Sequence, residues 1–219
     1  LKKKFFFRSD IVKNISKIIN TIKYKSKIKV HNVGYFKLDK DYIDVDDKLI
    51  SNIIVVATTP NKNKHELWDK QILTDNETIN LINSLCERFP NYQIIYKPFL
   101  STDNYYKKIL ETCKKNLNFN VSYVGQDYWE LYSKAKFLIT DVSSTAYTFA
   151  RGCKKPVIFY SPNEFKLSSK IINNRYHLDR KNIGFVCSSM YEVIKTTNNI
   201  IENYERIRNK VRKFLDVKG

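Results

Sequence analysis

The segment "TDVSSTA", residues 140–146, places three hydroxyl side chains, Ser143, Ser144 and Thr145, directly after a buried apolar run, "KFLIT". A helix starting near Ser144 points free N–H groups and the positive end of its dipole out of the fold. A phosphate fits there, held by backbone amides and by the three hydroxyls. Asp and Ser are also the preferred caps of a helix, so the spacing alone leaves capping and phosphate binding both open. The other loops that follow apolar runs, "ATTPNKNKH", "KPFLSTDN" and "VGQDYW", likewise carry hydroxyls, amides and charges.

These loops need a scaffold, and the pattern supplies one. Compact apolar runs occur at 52–58 ("NIIVVAT" within it), 92–98, 120–125, 136–140, 156–160 and 183–188. Between them, residues 77–89 place Ile79, Ile82, Leu85, Cys86 and Phe89 at steps of three and four, after a cap at Asp75. Residues 103–115 repeat the pattern with Tyr106, Ile109, Leu110 and Cys113. Shorter helices are expected at 127–135 and 144–152, the latter ended by Gly152. One long amphipathic helix is expected over 190–215. Near-continuous apolar strands, alternating with helices, predict an α/β fold: a Rossmann-like parallel sheet with helices on both faces, over residues 51–219. Ligands of such a sheet bind beyond the carboxyl ends of its strands, where these loops lie.

Residues 1–50 stand outside that repeat. "SDIVKNISKIINTIKYKSK" sets Ile11, Ile15, Ile18, Ile19 and Ile22 on one face among lysines, an amphipathic helix that suits either an anionic membrane surface or a neighbouring domain. A strand and turn, then a linker, are expected to follow. Asp44, Asp46 and Asp47 read as part of that solvated link, because a calcium loop needs a longer ordered series of oxygens.

The 219 residues carry a net charge of +17. That balance asks for a polyanionic partner: an anionic membrane face, a nucleotide or an anionic polymer. The lysines are spread along the chain and no nucleic-acid-binding signature is present, so specific nucleic-acid binding is not expected. No apolar run reaches the roughly 18 residues that span a bilayer, and the apolar patch in "LKKKFFFRSD" is too short for a signal segment. The missing initiator Met suggests a fragment of something longer. Cys86, Cys113, Cys153 and Cys187 are isolated, without zinc spacing, and read as buried reduced thiols of a cytoplasmic protein. Glycine-rich dinucleotide and P-loop motifs are absent, which disfavours those enzyme classes.

The blocks "VGYFKLD" (33–39), "IIVVATTP" (53–60), "IIYKPF" (94–99), "ELYSKAKFLITDVSSTAYTFARGCKKPVIFY" (130–160) and "IGFVCSSMYEVI" (183–194) together resemble the C-terminal half of a GT-B glycosyltransferase. They are most similar to the CDP-glycerol:poly(glycerophosphate) glycerophosphotransferases and the related capsule-polysaccharide transferases, over about residues 31–215. The resemblance implies a hinge at the first block and a nucleotide-donor-binding domain after it. Residues 1–50 would then be a remnant of the N-terminal domain. Ser143, Ser144 and Thr145 would cradle the donor's diphosphate, with Asp141 organising the loop or facing the donor. Thr58 and Thr59 would stand at the mouth of the first strand. Lys97 takes the place of the basic residue in the family's R/K-P-H-P segment, but Phe99 stands where the family has a histidine. Thr148 likewise replaces an acidic residue.

What the resemblance implies about function is transfer of a sugar or polyol-phosphate group from a nucleotide-activated donor, CDP- or CMP-linked, to an anionic polymer or lipid-linked acceptor of a capsule or teichoic-acid type. The site would need no metal and no further cofactor, and the protein would work in the cytoplasm, peripherally on the inner membrane face. Its catalytic residues are unassigned: of the three histidines, His65 is the one in a strand-to-helix loop, while His31 and His177 lie elsewhere. Trp68 and Trp129 could stack on a base or sugar, though each lies on a helical pattern that suits the core. A nucleotide-sugar epimerase shares the architecture but relies on acids in the loop that here reads Ser143-Ser144. A noncatalytic anion-binding module is the alternative outside enzymes.

Overall fold

A computed structural model of the chain describes residues 50–58, 73–98, 106–122, 128–141, 143–160, 162 and 180–218, with the backbone of 6–7 and 31–32. It divides into two compact units, Leu1–Tyr42 and Ile43–Gly219. In the first, β1 (Phe6–Phe7) pairs in parallel with β2 (His31–Asn32). The amphipathic helix expected over residues 9–27 lies outside the described residues, as do Asp44, Asp46 and Asp47.

The second unit is built on six parallel strands: β3 (Ile53–Ala57), β4 (Gln93–Tyr96), β5 (Phe119–Val121), β6 (Phe137–Thr140), β7 (Val157–Tyr160) and β8 (Gly184–Cys187). Their spatial order is β5-β4-β3-β6-β7-β8. Every residue of β6 and β7 is buried, as a strand covered on both faces requires. The Rossmann-like α/β fold read from the sequence is therefore the fold found.

Helices cover the two faces unequally. On one face α1 (Asp75–Arg88), α2 (Lys107–Cys113) and α5 (Met190–Glu202) pack Leu81, Ile82, Leu85, Ile109, Val193 and Ile200 against Ile54, Val56, Ile94, Phe137, Ile139 and Ile158. On the other, α3 (Tyr128–Lys134) and α4 (Ser143–Cys153) contribute Trp129, Leu131, Tyr132, Ala146, Phe149 and Ala150 to the core. The pleat makes this division, because successive strand residues point to opposite faces.

Three expectations are corrected. The cap of α1 is Thr74, one residue before Asp75: its hydroxyl accepts from the Glu77 N–H at 3.2 Å while the Glu77 carboxylate accepts from the Thr74 N–H at 2.7 Å. That reciprocal box closes two orphan donors, which Asp75 has no position to do. Gly152 does not end α4; it is buried inside the helix, and Lys154 takes the left-handed conformation, with φ of 50°. The long C-terminal helix is two, α5 and α6 (Tyr204–Lys218). At the break the Asn203 side-chain amide donates to the Asn199 carbonyl at 3.3 Å and to its side-chain oxygen at 3.1 Å. An amide that competes for a carbonyl one turn back weakens the helical ladder at that point. The buried stripe of Val193, Thr197, Ile200, Tyr204, Arg208 and Val211 runs on through the break, so the periodicity hides it.

Candidate functional site

β3 leads outward to β4 and β5, and β6 leads the opposite way to β7 and β8, so the carboxyl ends of β3 and β6 flank the crevice where the strand order reverses. Ala57 pairs with Thr140, which brings Thr58 and Asp141 out of the sheet side by side. Val56 pairs with Tyr96, and the Lys97 N–H donates to the Val56 carbonyl at 2.8 Å, which puts Lys97 on the flank of the same crevice. Ser143 begins α4 two residues after Asp141. Topology thus gathers Thr58, Lys97, Asp141 and Ser143, from three separate loops, along one edge.

Beneath this edge lies a chain of hydroxyls. Thr78 Oγ1 donates to Thr58 Oγ1 at 3.3 Å, and Thr58 Oγ1 donates to Tyr96 Oη at 3.3 Å. Thr58 is 2 % exposed, so it forms the floor of the crevice and offers a ligand almost no surface. Burial pushes the Tyr96 phenol up to about 12; the Thr58 hydroxyl opposes the shift and the Asp141 and Asp75 carboxylates add to it. Tyr96 therefore keeps its proton at neutral pH and is no general base. Asp141, itself buried, accepts the Leu73 N–H at 3.0 Å. Leu73 precedes the Thr74 cap, so this carboxylate ties the start of α1 to the end of β6.

Lys97 is half-buried, and desolvation lowers its pKa. Its Nζ sits 5.9 Å from the centre of the Tyr128 ring. Tyr128 packs on Trp129 at 5.0 Å and Tyr132 at 5.7 Å, and Tyr132 packs edge-on to Phe149 of α4 at 5.1 Å. A ladder of rings thus joins the Lys97 flank to the helix that starts at Ser143. Among the described residues no carboxylate forms an ion pair with Lys97, and its ammonium lies over the Tyr128 ring.

A pH test follows. The folded chain binds the Lys97 proton more weakly than the unfolded chain does. Lys97 therefore costs stability below its folded pKa, and the cost fades as pH rises toward the ordinary lysine value of about 10.4. Lys97→Met should be more stable than the wild type in urea at pH 7, with the difference shrinking as pH climbs through that window. A variant less stable at pH 7 would show that the ammonium already has a compensating partner.

The remaining site residues fall as follows. Ser143 and Ser144 form the first turn of α4, whose first turn contains no acid. Thr145 and Thr148, three residues apart, are half-buried beside the inward-facing Ala146 and Phe149. Thr59, Phe99, His65, Trp68 and His177 lie outside the described residues, and His31 is a backbone position in β2. Trp129 is 6 % exposed, a core residue. All four cysteines are free and buried, and burial pushes Cys86 up to about 12 and Cys113 and Cys153 to about 11, the state of inert thiols. Among the described residues no cluster of His, Cys, Asp and Glu has the makings of a metal site, and no helix is long and apolar enough to cross a membrane. Tyr96 and Tyr128 escaped the sequence reading. Tyr96 directly precedes Lys97, at the end of a strand where a buried hydroxyl needs a partner, and that was the available signal.

The model of one family, the CDP-glycerol:poly(glycerophosphate) glycerophosphotransferases, matches residues 68–218. Among solved structures, a variant of the wall teichoic acid polymerase TagF is 18 % identical, over 97 % of this chain and 52 % of that one, with a TM-score of 0.54. The same variant soaked with CDPG gives 16 % identity, 97 % and 50 % coverage and a TM-score of 0.53. The UDP-GlcNAc 2-epimerase of Neisseria meningitidis, bound to UDP-GlcNAc, is 15 % identical over 92 % of this chain and 46 % of that one, with a TM-score of 0.51. At these identities the likeness is one of fold, and the chain spans about half the length of these structures. No curated protein matches the chain significantly.

Proposed function

Because the chain belongs to the CDP-glycerol:poly(glycerophosphate) glycerophosphotransferase family, we propose that its second unit is the donor-binding part of a transferase. It would take a CDP-linked polyol phosphate and serve transfer of that group to an anionic, surface-polymer acceptor. The observation that carries this reading is the convergence at one sheet crevice of the α4 amino terminus, the desolvated Lys97 and the Asp141 anchor. A nucleoside diphosphate is the ligand class that such an edge suits: amides and a cation for its phosphates, in the crevice where open α/β sheets hold nucleotides.

In the proposed reaction an acceptor hydroxyl oxygen bonds to the donor's distal phosphorus while the bond from that phosphorus to the bridging oxygen breaks. CMP leaves with the electron pair, and the acceptor's proton passes to a base. The amides of α4 and the Lys97 ammonium stabilise the charge that grows on the departing nucleotide. They are fixed before the reaction begins, so little reorganisation opposes it. Tyr128 keeps the ammonium over its ring, and an arriving phosphate raises the Lys97 affinity for its proton, which strengthens the contact. We extend the proposal to donor binding without a metal and to a position on the inner face of the membrane, the latter supported by the net charge of +17.

Calorimetric titration with CDP, CMP, UDP and GDP tests this. CDP should bind in preference to the others. Ser143→Ala/Ser144→Ala should weaken it by about tenfold, the loss of one or two hydroxyl contacts, and Lys97→Met by about 10- to 100-fold, the loss of a charge-assisted one. A folded chain that binds none of the four, or binds them equally in all variants, overturns the reading.

A further inference from the structure

Among the described residues the sheet ends at β8, and between that strand and helices α5 and α6 runs a groove of about 750 Å³. Its lining takes in both ends of β8, Gly184 and Cys187, so it follows the strand along its whole length. Three cations stand around it: Lys181 before the strand, and Arg206 and Lys210 one turn apart on α6. All three are exposed, and among the described residues none has a carboxylate within ion-pair distance. Like charges at that helical spacing repel, so the arrangement costs the free chain something that an anion would return. The acid on the described lining is Glu192, whose carboxylate accepts from the Ser188 N–H at 2.6 Å and the Ser188 hydroxyl at 2.9 Å. Those bonds lower its pKa, so it stays ionised, and hold its carboxylate on Ser188, next to the α5 cap Ser189.

We infer that this groove is a second anion site, and that it holds a phosphodiester polymer with a phosphate in every short repeat. The inference rests on the transferase reading only for the identity of that polymer as the acceptor. Shape and chemistry select the occupant. The site is concave, and a bilayer surface cannot reach the floor of a concave groove, whereas a thin chain can. Between the cations the lining offers Val186, Ile207 and Asn199, contact for a small polyol linker, and its aromatic, Phe185, is half-buried and gives bases no stacking platform. Cys187, at the carboxyl end of β8, is part of the lining and lies two strands, therefore about 10 Å, from β6. A chain seated along β8 is thereby led toward the crevice, which would keep a growing product bound between additions.

The experiment uses the whole chain and the charge reversals Arg206→Glu/Lys210→Glu, with Lys114→Glu/Lys115→Glu as an exposed control of equal charge change. Binding is measured to a synthetic oligo(glycerol phosphate), to phosphatidylglycerol-containing vesicles, to a single-stranded oligonucleotide and to CDP, with thermal melts to verify folding. The groove variant should lose at least about tenfold of its oligomer affinity. Its plot of log affinity against log salt should be shallower by about 1 to 1.5, the counterions of two contacts. CDP binding should stay unchanged and the control variant should keep most of its oligomer affinity. Equal losses in both variants would reduce the effect to net charge and overturn the inference. So would an unaltered oligomer affinity, or a loss confined to vesicles or to the oligonucleotide. Failure of CDP to bind any variant, with the oligomer result intact, would sink the donor reading and leave the groove as a polyanion site.

Discussion

Gly184→Ala should destabilise the second unit by about 3 to 5 kcal/mol, one of the few single-atom additions with so large an effect. A Cβ built on Gly184 falls 1.8 Å from the Val157 carbonyl oxygen, 2.7 Å from its carbon and 2.9 Å from its nitrogen. Val157 is the register partner of Gly184, so the obstacle is the backbone of β7, which no rotamer change can clear. Either β8 moves off the sheet or β7 shifts against β6. For a chain of this size the melting temperature should drop by on the order of 10 °C. Since β8 forms one wall of the groove, oligomer binding should fall with it, while the crevice at β3 and β6 lies two strands further in. Urea and thermal unfolding decide the matter: a loss under about 1 kcal/mol would mean that the β7–β8 pairing is looser than its register indicates.

Lys155→Met should cost about 2 to 5 kcal/mol. Lys155 is fully buried, and its Nζ donates to the carbonyls of Tyr132 at 3.1 Å, Ser133 at 2.5 Å and Ala135 at 2.5 Å. Those carbonyls lie at the carboxyl end of α3, where a helix leaves its last acceptors without partners and its dipole is negative. One ammonium has three donors and answers three of them. Methionine keeps most of the packing volume and abandons three carbonyls, those of Tyr132 and Ala135 in buried bonds and that of Ser133 in a part-buried one. The adjacent Lys154 is the comparison: its ion pair with Asp216, at 2.7 Å, is between partly exposed groups, so Lys154→Met should lie within about 1 kcal/mol of wild type. If the two variants melted together, water would have to be replacing the ammonium at α3. The loss at Lys155 should also loosen the aromatic ladder, because Tyr132 joins Tyr128 to Phe149.

Strand and helix positions were legible because they rest on local periodicity. "IIVVA" and "VIFY" are apolar at every position and "FLIT" at all but its last, as a strand covered on both faces demands, and all but Ile53 of these thirteen residues are buried. Residues 79, 82, 85, 86 and 89 repeat at helical spacing and are buried as expected. Where a boundary depends on one side chain choosing between local partners, the pattern carried no answer. Thr74 over Asp75 as a cap, Lys154 over Gly152 as the left-handed residue, and Asn203 as a break are decisions of this kind.

The site divides in the same way. From the sequence alone came the α/β class and the serine pair at a helix start, because residue type and spacing suffice to place a residue on its own element. Side-chain direction and burial belong to the tertiary structure. Thr58 has the composition of a ligand contact, yet its hydroxyl turns down between Thr78 and Tyr96, from two other elements. Of two adjacent lysines, 154 and 155, one is at the surface and one fills the core, and only the position of α3 decides which. The groove joins β8 to Arg206 and Lys210 on a helix two elements further on. Such features depend on which distant groups share a polar atom's desolvated space, a quantity that exists only once the sheet has assembled and water has been excluded from it.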